Sequence, residues 1–356
     1  MLTTNDPTAV MAAVRDEIEA ALADFLATRN PPAELRDTAP LHAALRDFGH
    51  SPGKRLRGLL CYWGWRGADG QDPSGVFRAA AALELFHTAA IFHDDLIDGS
   101  DTRRGEPSLH QRLARHAPED RQSGGLPFGA AAAVLAGDLC LVWAGELLQT
   151  ATADPARRAA ATRIYHEMAA EVVLGQYQDV VEEIRGPSTL ERAMAVTHYK
   201  AARYTFERPL QIGGALAGAP ESLHTAYSRF AVPAGEAFQL RDDMLGVFGD
   251  PAVTGKSNLD DLRDGKATPL MALALEAATD TQRERIERLH GDRLLTEDDA
   301  DELRTVLVET GAPERVEDLV SQRVAAAGDA LDRAGLNAEA TAALRALLGA
   351  AVNRAR

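Results

Sequence analysis

Apolar residues recur along nearly the whole chain at three- and four-residue spacing, the period of helices that turn one face to a core. Val10, Val14, Ile18, Ala21, Leu22 and Phe25 set it first, predicting a helix from Thr8 to Arg29 that Asn30-Pro31-Pro32 ends. A basic turn, Ser51-Pro52-Gly53-Lys54-Arg55-Leu56-Arg57-Gly58, opens a helix running through Leu59 to Trp65, and the stretch 67–75 is a loop. A long apolar helix is expected from Val76 to Gly99, then a polar loop from Asp101 to Gly125 with some helix in it. Helical spacing returns over 130–150, 155–184, 190–217 and 221–248. After a turn-rich loop from Asp250 to Asp264 it resumes over 268–278, 281–289, 297–310, 313–334 and 338–351. No run alternates as a strand would, no period repeats, and no linker interrupts the pattern. The expectation is an all-α chain, with one large helical domain over 41–356 and an N-terminal helical appendage over 1–40.

Composition narrows the fold class. Hydrophobic residues make up 46% and aromatics only 5%, with alanine conspicuous. That suits closely packed helices, whereas a sandwich or barrel draws on β-branched and aromatic residues. A formal net charge of −15 argues against a nucleic-acid binder, which carries a basic footprint, and against electrostatic attachment to an anionic membrane. Cys61 and Cys140 sit in apolar stretches and are expected as buried free thiols. The first ten residues lack the charged and apolar blocks of a secretory signal. No uninterrupted apolar run approaches bilayer-spanning length, so a cytoplasmic location is expected.

Chemistry enters at two acidic clusters. His93-Asp94-Asp95-Leu96-Ile97-Asp98 closes the long apolar helix. Asp94 and Asp98 fall one turn apart on one face, with Asp95 beside them. Carboxylates so crowded call for a cation, and hard oxygen donors suit Mg²⁺, which takes a few carboxylates and completes its shell with phosphate and water. A merely solvated helix end would not follow Leu85, Phe86, Ala89, Ala90, Ile91 and Phe92. Gln239-Leu240-Arg241-Asp242-Asp243 repeats the arrangement, with Gly246 standing where the counterpart of Asp98 would fall. Acids at a helix C-terminus are unfavourable unless a cation compensates.

Basic groups suited to diphosphate lie near these clusters in sequence. Lys54 and Arg57 share one helical turn, Arg103 and Arg104 follow the first cluster, and His87 precedes Asp94 by two turns on nearly the same face. Of 38 basic residues only four are lysines, namely Lys54, Lys200, Lys256 and Lys266. A compact ammonium kept against so strong a preference for arginine points to a specific need for it.

Together with Gly137-Asp138, Gly175-Gln176-x-x-Asp179, Thr254-Gly255-Lys256 and Asp261-Leu262-Arg263-Asp264-Gly265-Lys266, these residues resemble the trans-isoprenyl diphosphate synthase family. The likeness covers roughly residues 45 to 350 and is strongest to bacterial geranylgeranyl diphosphate synthases. All four lysines fall where that family contacts diphosphate. The resemblance implies a helical bundle of the isoprenoid synthase type around a central cavity, assembled as a homodimer. It implies Mg²⁺-dependent elongation of an allylic diphosphate by isopentenyl diphosphate, with three ions held by Asp94, Asp98 and Asp242. Asp95 and Asp243 complete the acidic pairs. Arg103, Lys200, Gln239, Lys256 and Lys266 would take the allylic diphosphate, and Gly53, Lys54, Arg57, His87 and Arg104 the isopentenyl diphosphate. The diphosphate leaves, the isopentenyl double bond attacks the allylic cation, and a proton is lost to the departing diphosphate.

Three positions depart from the family pattern: Gly246 replaces its third aspartate, Ala201 a Thr or Ser after Lys200, and Gly58 a Pro after Arg57. Product length is read from the helix that bears Asp94. Ala90 and Ala89, four and five residues before Asp94, are small, and the next bulky residue, Phe86, lies a further turn down, about 12 Å along the axis from Asp94. The first motif also lacks the two-residue insertion of many bacterial short-chain relatives. A C20 product, geranylgeranyl diphosphate, is expected, with farnesyl diphosphate or C25 as alternatives. A class I terpene cyclase shares the aspartate-rich motif but has no need of Lys54, Arg57, His87 and Arg104. A non-catalytic partner subunit would not keep so full a ligand set.

Overall fold

A run of eight buried residues, Ala79 to Phe86, explains the element around which the first half of the chain is built. A helix apolar on every side must be covered on every side. The computed structural model places it at Ser74–Ile97 (α4), flanked by α1 (Pro7–Ala27), α3 (Leu56–Gly67) and α6 (Phe128–Gln149). It describes residues 7–50, 53–103, 105–117, 126–250 and 258–352. Trp63, Phe92, Leu60 and Leu83 are fully buried there, each worth about 1.5–3 kcal/mol of burial. Gly99, at φ 68°, stops α4. The Ser100 N–H then donates to the Asp95 carbonyl at 2.8 Å, the closing bond of a Schellman turn.

The chain divides into two units, 1–162 with 212–219 and 163–211 with 220–356. The first holds α1, α3, α4 and α6, and α1 packs on α3 and α4 within it. The second centres on α10 (Glu221–Phe248), which packs on the segment Thr197–Glu207 and on the helix Ala312–Asp332. Tyr227, Phe206 and Phe230 are its largest fully buried side chains.

Most predicted helices are present within a few residues of their expected ends. Four readings need correction. The stretch 190–217 is three segments: α8 (Leu190–Val196), a π-helix (Thr197–Glu207) and α9 (Arg208–Ala217). The Arg208 N–H reaches back five residues to the Arg203 carbonyl, the signature of the wider coil. Ala39–His50 is an additional helix, α2, preceded by a short 3₁₀ segment, Ala33–Thr38. Within the polar loop, β1 (Thr102–Arg103) and β2 (Glu106–Pro107) form a minimal antiparallel hairpin, followed by α5 (Leu109–Ala114). Finally, α4 and α6 are each long and apolar enough to cross a bilayer by length and composition alone. Within the most apolar window of α4 61% of the residues are buried in the protein, as a core helix requires, and within that of α6 44% are. Cys61 and Cys140 are buried free thiols, the latter pushed up to about 12 by desolvation.

Candidate active site

One group of candidate residues lies in the first unit. Asp94 and Asp98 are partly exposed at the C-terminal turn of α4, whereas Asp95 turns inward and is 1% exposed. Burial raises the Asp95 pKa, opposed by Arg103. Arg103, on β1, donates through Nε to Asp95 Oδ1 at 2.7 Å, and a second guanidinium nitrogen meets the same oxygen. It also lies 3.6 Å from Asp94 Oδ2. Burial works against its charge, but Asp95, Asp94 and Asp98 outweigh it and hold its pKa above the usual value. The hairpin thus returns a cation to the acidic helix end, where the helix dipole alone would disfavour acids.

His93 points the other way, its Nε2 3.2 Å from the Val134 carbonyl of α6. Lys54 is exposed, and Arg57 and His87 are half-buried. The turn bearing Lys54 and Arg57 is joined to α4 by Glu84, which accepts the Gly58 N–H at 2.9 Å. Ala89 and Phe86 are buried and Ala90 partly so.

A second group lies in the second unit. Gln239, Asp242, Asp243 and Gly246 recur at helical spacing on α10. Arg241 leaves that face and grips Glu317 through two bonds of 2.5 and 2.7 Å. Gln239 Nε2 donates to Asp243 Oδ1 at 2.7 Å. Burial and the neighbouring charges of Asp242 and Asp261 still push Asp243 up to about 8.

The gap at Gly246 is filled. A Cβ there would stand 1.9 Å from Asp261 Oδ2, so this carboxylate, on the short helix Asp260–Arg263, occupies the space that a side chain at 246 would take. Asp261 in turn lies 3.4 Å from Lys266 Nζ. Lys200, on the π-helix, donates to Asp179 Oδ2 at 2.6 Å. Gly175 allows that approach, because a Cβ there would meet the Lys200 backbone nitrogen at 2.8 Å.

Arg104 and Lys256 lie outside the described residues. Asp179, Asp261 and Glu84 carried no role in the sequence reading. Asp179 and Asp261 stood inside the quoted motifs, and Glu84 is the lone acid of an apolar run. Among the described residues no three His, Cys, Asp or Glu side chains form a ready-made metal cluster. Mg²⁺ needs none, since one or two carboxylates with substrate phosphate and water suffice. The paired Asp94 and Asp98, and the mutually repelling Asp242, Asp243 and Asp261, are donors of the right kind.

An all-helical scaffold with two acidic helix ends and cations beside each describes a diphosphate-handling transferase. The chain matches the polyprenyl synthetase family over residues 38–307 and belongs to that family. It is therefore an enzyme, a prenyltransferase of isoprenoid biosynthesis with the isoprenoid synthase fold. Its structure is similar to that of a geranylgeranyl pyrophosphate synthase from Corynebacterium glutamicum complexed with isoprenyl diphosphate and magnesium. The two share 34% identity at a TM-score of 0.87, over 98% of this chain and 99% of that one. In sequence it is 30% identical to the geranylfarnesyl diphosphate synthase of Aeropyrum pernix, over 85% of this chain and 91% of the relative. It is 33% identical to a (2E,6E)-farnesyl diphosphate synthase of Mycobacterium tuberculosis, over 63% of this chain and 57% of the relative.

Proposed function

We propose that the enzyme joins an allylic diphosphate to isopentenyl diphosphate and releases diphosphate, stopping at geranylgeranyl diphosphate. The observation that carries the reaction is the pair of acidic helix ends, each with a cation held against it. Asp94, Asp98 and Asp242 would hold Mg²⁺, in the expected number of three. Bound there, the metal supplies positive charge to the diphosphate that leaves.

The remaining work falls to the chain's own groups. Lys200, Lys266, Arg103 and Gln239 receive the allylic diphosphate, together with Lys256. Asp95 and Asp179 hold Arg103 and Lys200 in place, so their charge is aimed before substrate arrives. Gly53, Lys54, Arg57 and His87, with Arg104, hold the isopentenyl diphosphate. The allylic C–O bond breaks with its electrons leaving on diphosphate. The isopentenyl double bond forms the new C–C bond to the cation, and the departing diphosphate takes the proton then lost. No protein nucleophile is needed; position and charge do the catalysis.

The C20 length rests on small Ala89 and Ala90 above a buried Phe86, which would close the tunnel for the growing chain. Dimethylallyl, geranyl and farnesyl diphosphates are to be offered as primers with labelled isopentenyl diphosphate and the products separated by chromatography. The reading predicts a C20 end product from all three; accumulation at farnesyl length would overturn it. We further propose a homodimer acting in the cytoplasm. Exposed Leu135 and Val142 on α6, and exposed Val173, Leu174 and Tyr177 on α7 (Pro155–Arg185), are apolar faces suited to burial in one. Light scattering should give twice 38.1 kDa; the monomer mass would contradict it.

A further inference from the structure

Glu84 is a carboxylate in the middle of the most thoroughly buried stretch of the first unit, itself 5% exposed. An isolated charge there is costly unless paired and hydrogen-bonded. Two partners of its carboxylate belong to the basic turn. Oε1 accepts the Gly58 N–H at 2.9 Å, and Oε2 lies 3.9 Å from Arg55, which is 8% exposed. Arg55 also donates through Nε to Glu19 Oε1 of α1 at 3.1 Å.

Arg55 is the N-cap of α3 and has φ 47°, with no side-chain cap of its own. A non-glycine residue in the left-handed region is strained, and such strain persists only where the surroundings impose it. The first turn of a helix also exposes N–H donors that seek an acceptor. Glu84 supplies that acceptor from a different helix, and its negative charge suits the positive end of α3.

We infer that Glu84 is a positioning residue for isopentenyl diphosphate. It caps α3 from α4, pins Arg55 in its left-handed conformation, and so fixes Lys54 and Arg57 on either side of that residue. It also ties them to the helix that carries His87. Glu84 touches no substrate and acts through the turn alone. This inference rests on the function proposed above.

The test compares Glu84→Ala and Glu84→Gln with the unmodified enzyme, reading KM for each substrate, kcat and thermal melting. Glu84→Ala should raise KM for isopentenyl diphosphate tenfold or more while KM for the allylic substrate stays within twofold. Glu84→Gln keeps an acceptor for the Gly58 N–H and should recover part of the loss. If the alanine variant is too unstable, Arg55→Gly makes the same test: glycine keeps the φ of 47° without strain but removes the side chain that Glu84 holds. A KM for isopentenyl diphosphate raised in that variant, with the allylic KM unchanged, supports the inference. Equal changes in both substrates' KM, or melting loss alone, would overturn it. Failure of the unmodified enzyme to consume isopentenyl diphosphate would instead overturn the proposed function, and this inference with it.

Discussion

Replacing Gly246 by aspartate restores the family's third carboxylate, and the structure predicts that it harms the enzyme. The new Cβ would stand 1.9 Å from Asp261 Oδ2 and 2.9 Å from its Cγ, so the Asp261 carboxyl must swing away. That motion breaks its 3.4 Å contact with Lys266, a cation assigned to the allylic diphosphate. Overpacking of this kind costs about 1–3 kcal/mol, or roughly a tenfold to hundredfold loss in rate where it falls on the transition state. A further like charge is added beside Asp243, already pushed up to about 8 partly by the charges of Asp242 and Asp261. Gly246→Ala carries the steric change without the charge. Steady-state incorporation of labelled isopentenyl diphosphate should fall roughly tenfold in the alanine variant and further in Gly246→Asp. Activity of Gly246→Asp at or above the unmodified level would refute the claim that Asp261 fills that place.

Phe86→Ala should lengthen the product, read by chromatography; an unchanged product removes Phe86 as the floor. Asp95→Asn keeps the shape of the side chain that anchors Arg103 but not its charge, and should lower kcat about tenfold, about 1.4 kcal/mol. An unchanged kcat would detach Arg103 from the chemistry. His290 is pushed down to about 4 by burial, against a hydrogen bond to the Lys266 backbone. It is neutral in both folded and unfolded chains at high pH, and its contribution is lost as pH falls from about 6.5 towards 4, at up to about 1.4 kcal/mol per pH unit. Melting temperature followed over that window should show this slope in the unmodified protein and lose it in His290→Asn.

The helices were legible because their apolar period is long and uninterrupted. For α10 both ends matched, since Pro220 and Gly249 bracket the pattern. The π-helix was not legible: Thr197–Glu207 keeps apolar spacing that an ordinary helix would also show. The hairpin's two-residue strands are too short to alternate. The acidic and basic motifs declared the site through their residue types and spacing. What spacing cannot convey is which carboxylate fills which gap. Asp261 reaches the Gly246 position from another element, and Asp95, next to Asp94 in the chain, is buried against Arg103. Glu84 does leave a signal, a lone charge among Ala79–Phe86 that must have a partner if it is buried.

The central claim is that this enzyme condenses two diphosphates and does not cyclise one. Counting isopentenyl diphosphate consumed per farnesyl diphosphate converted, with Mg²⁺ present, tests it most directly. The account predicts one isopentenyl unit per farnesyl primer, equal diphosphate release and a C20 diphosphate product. Conversion of the farnesyl substrate to hydrocarbon with no isopentenyl diphosphate consumed would contradict it.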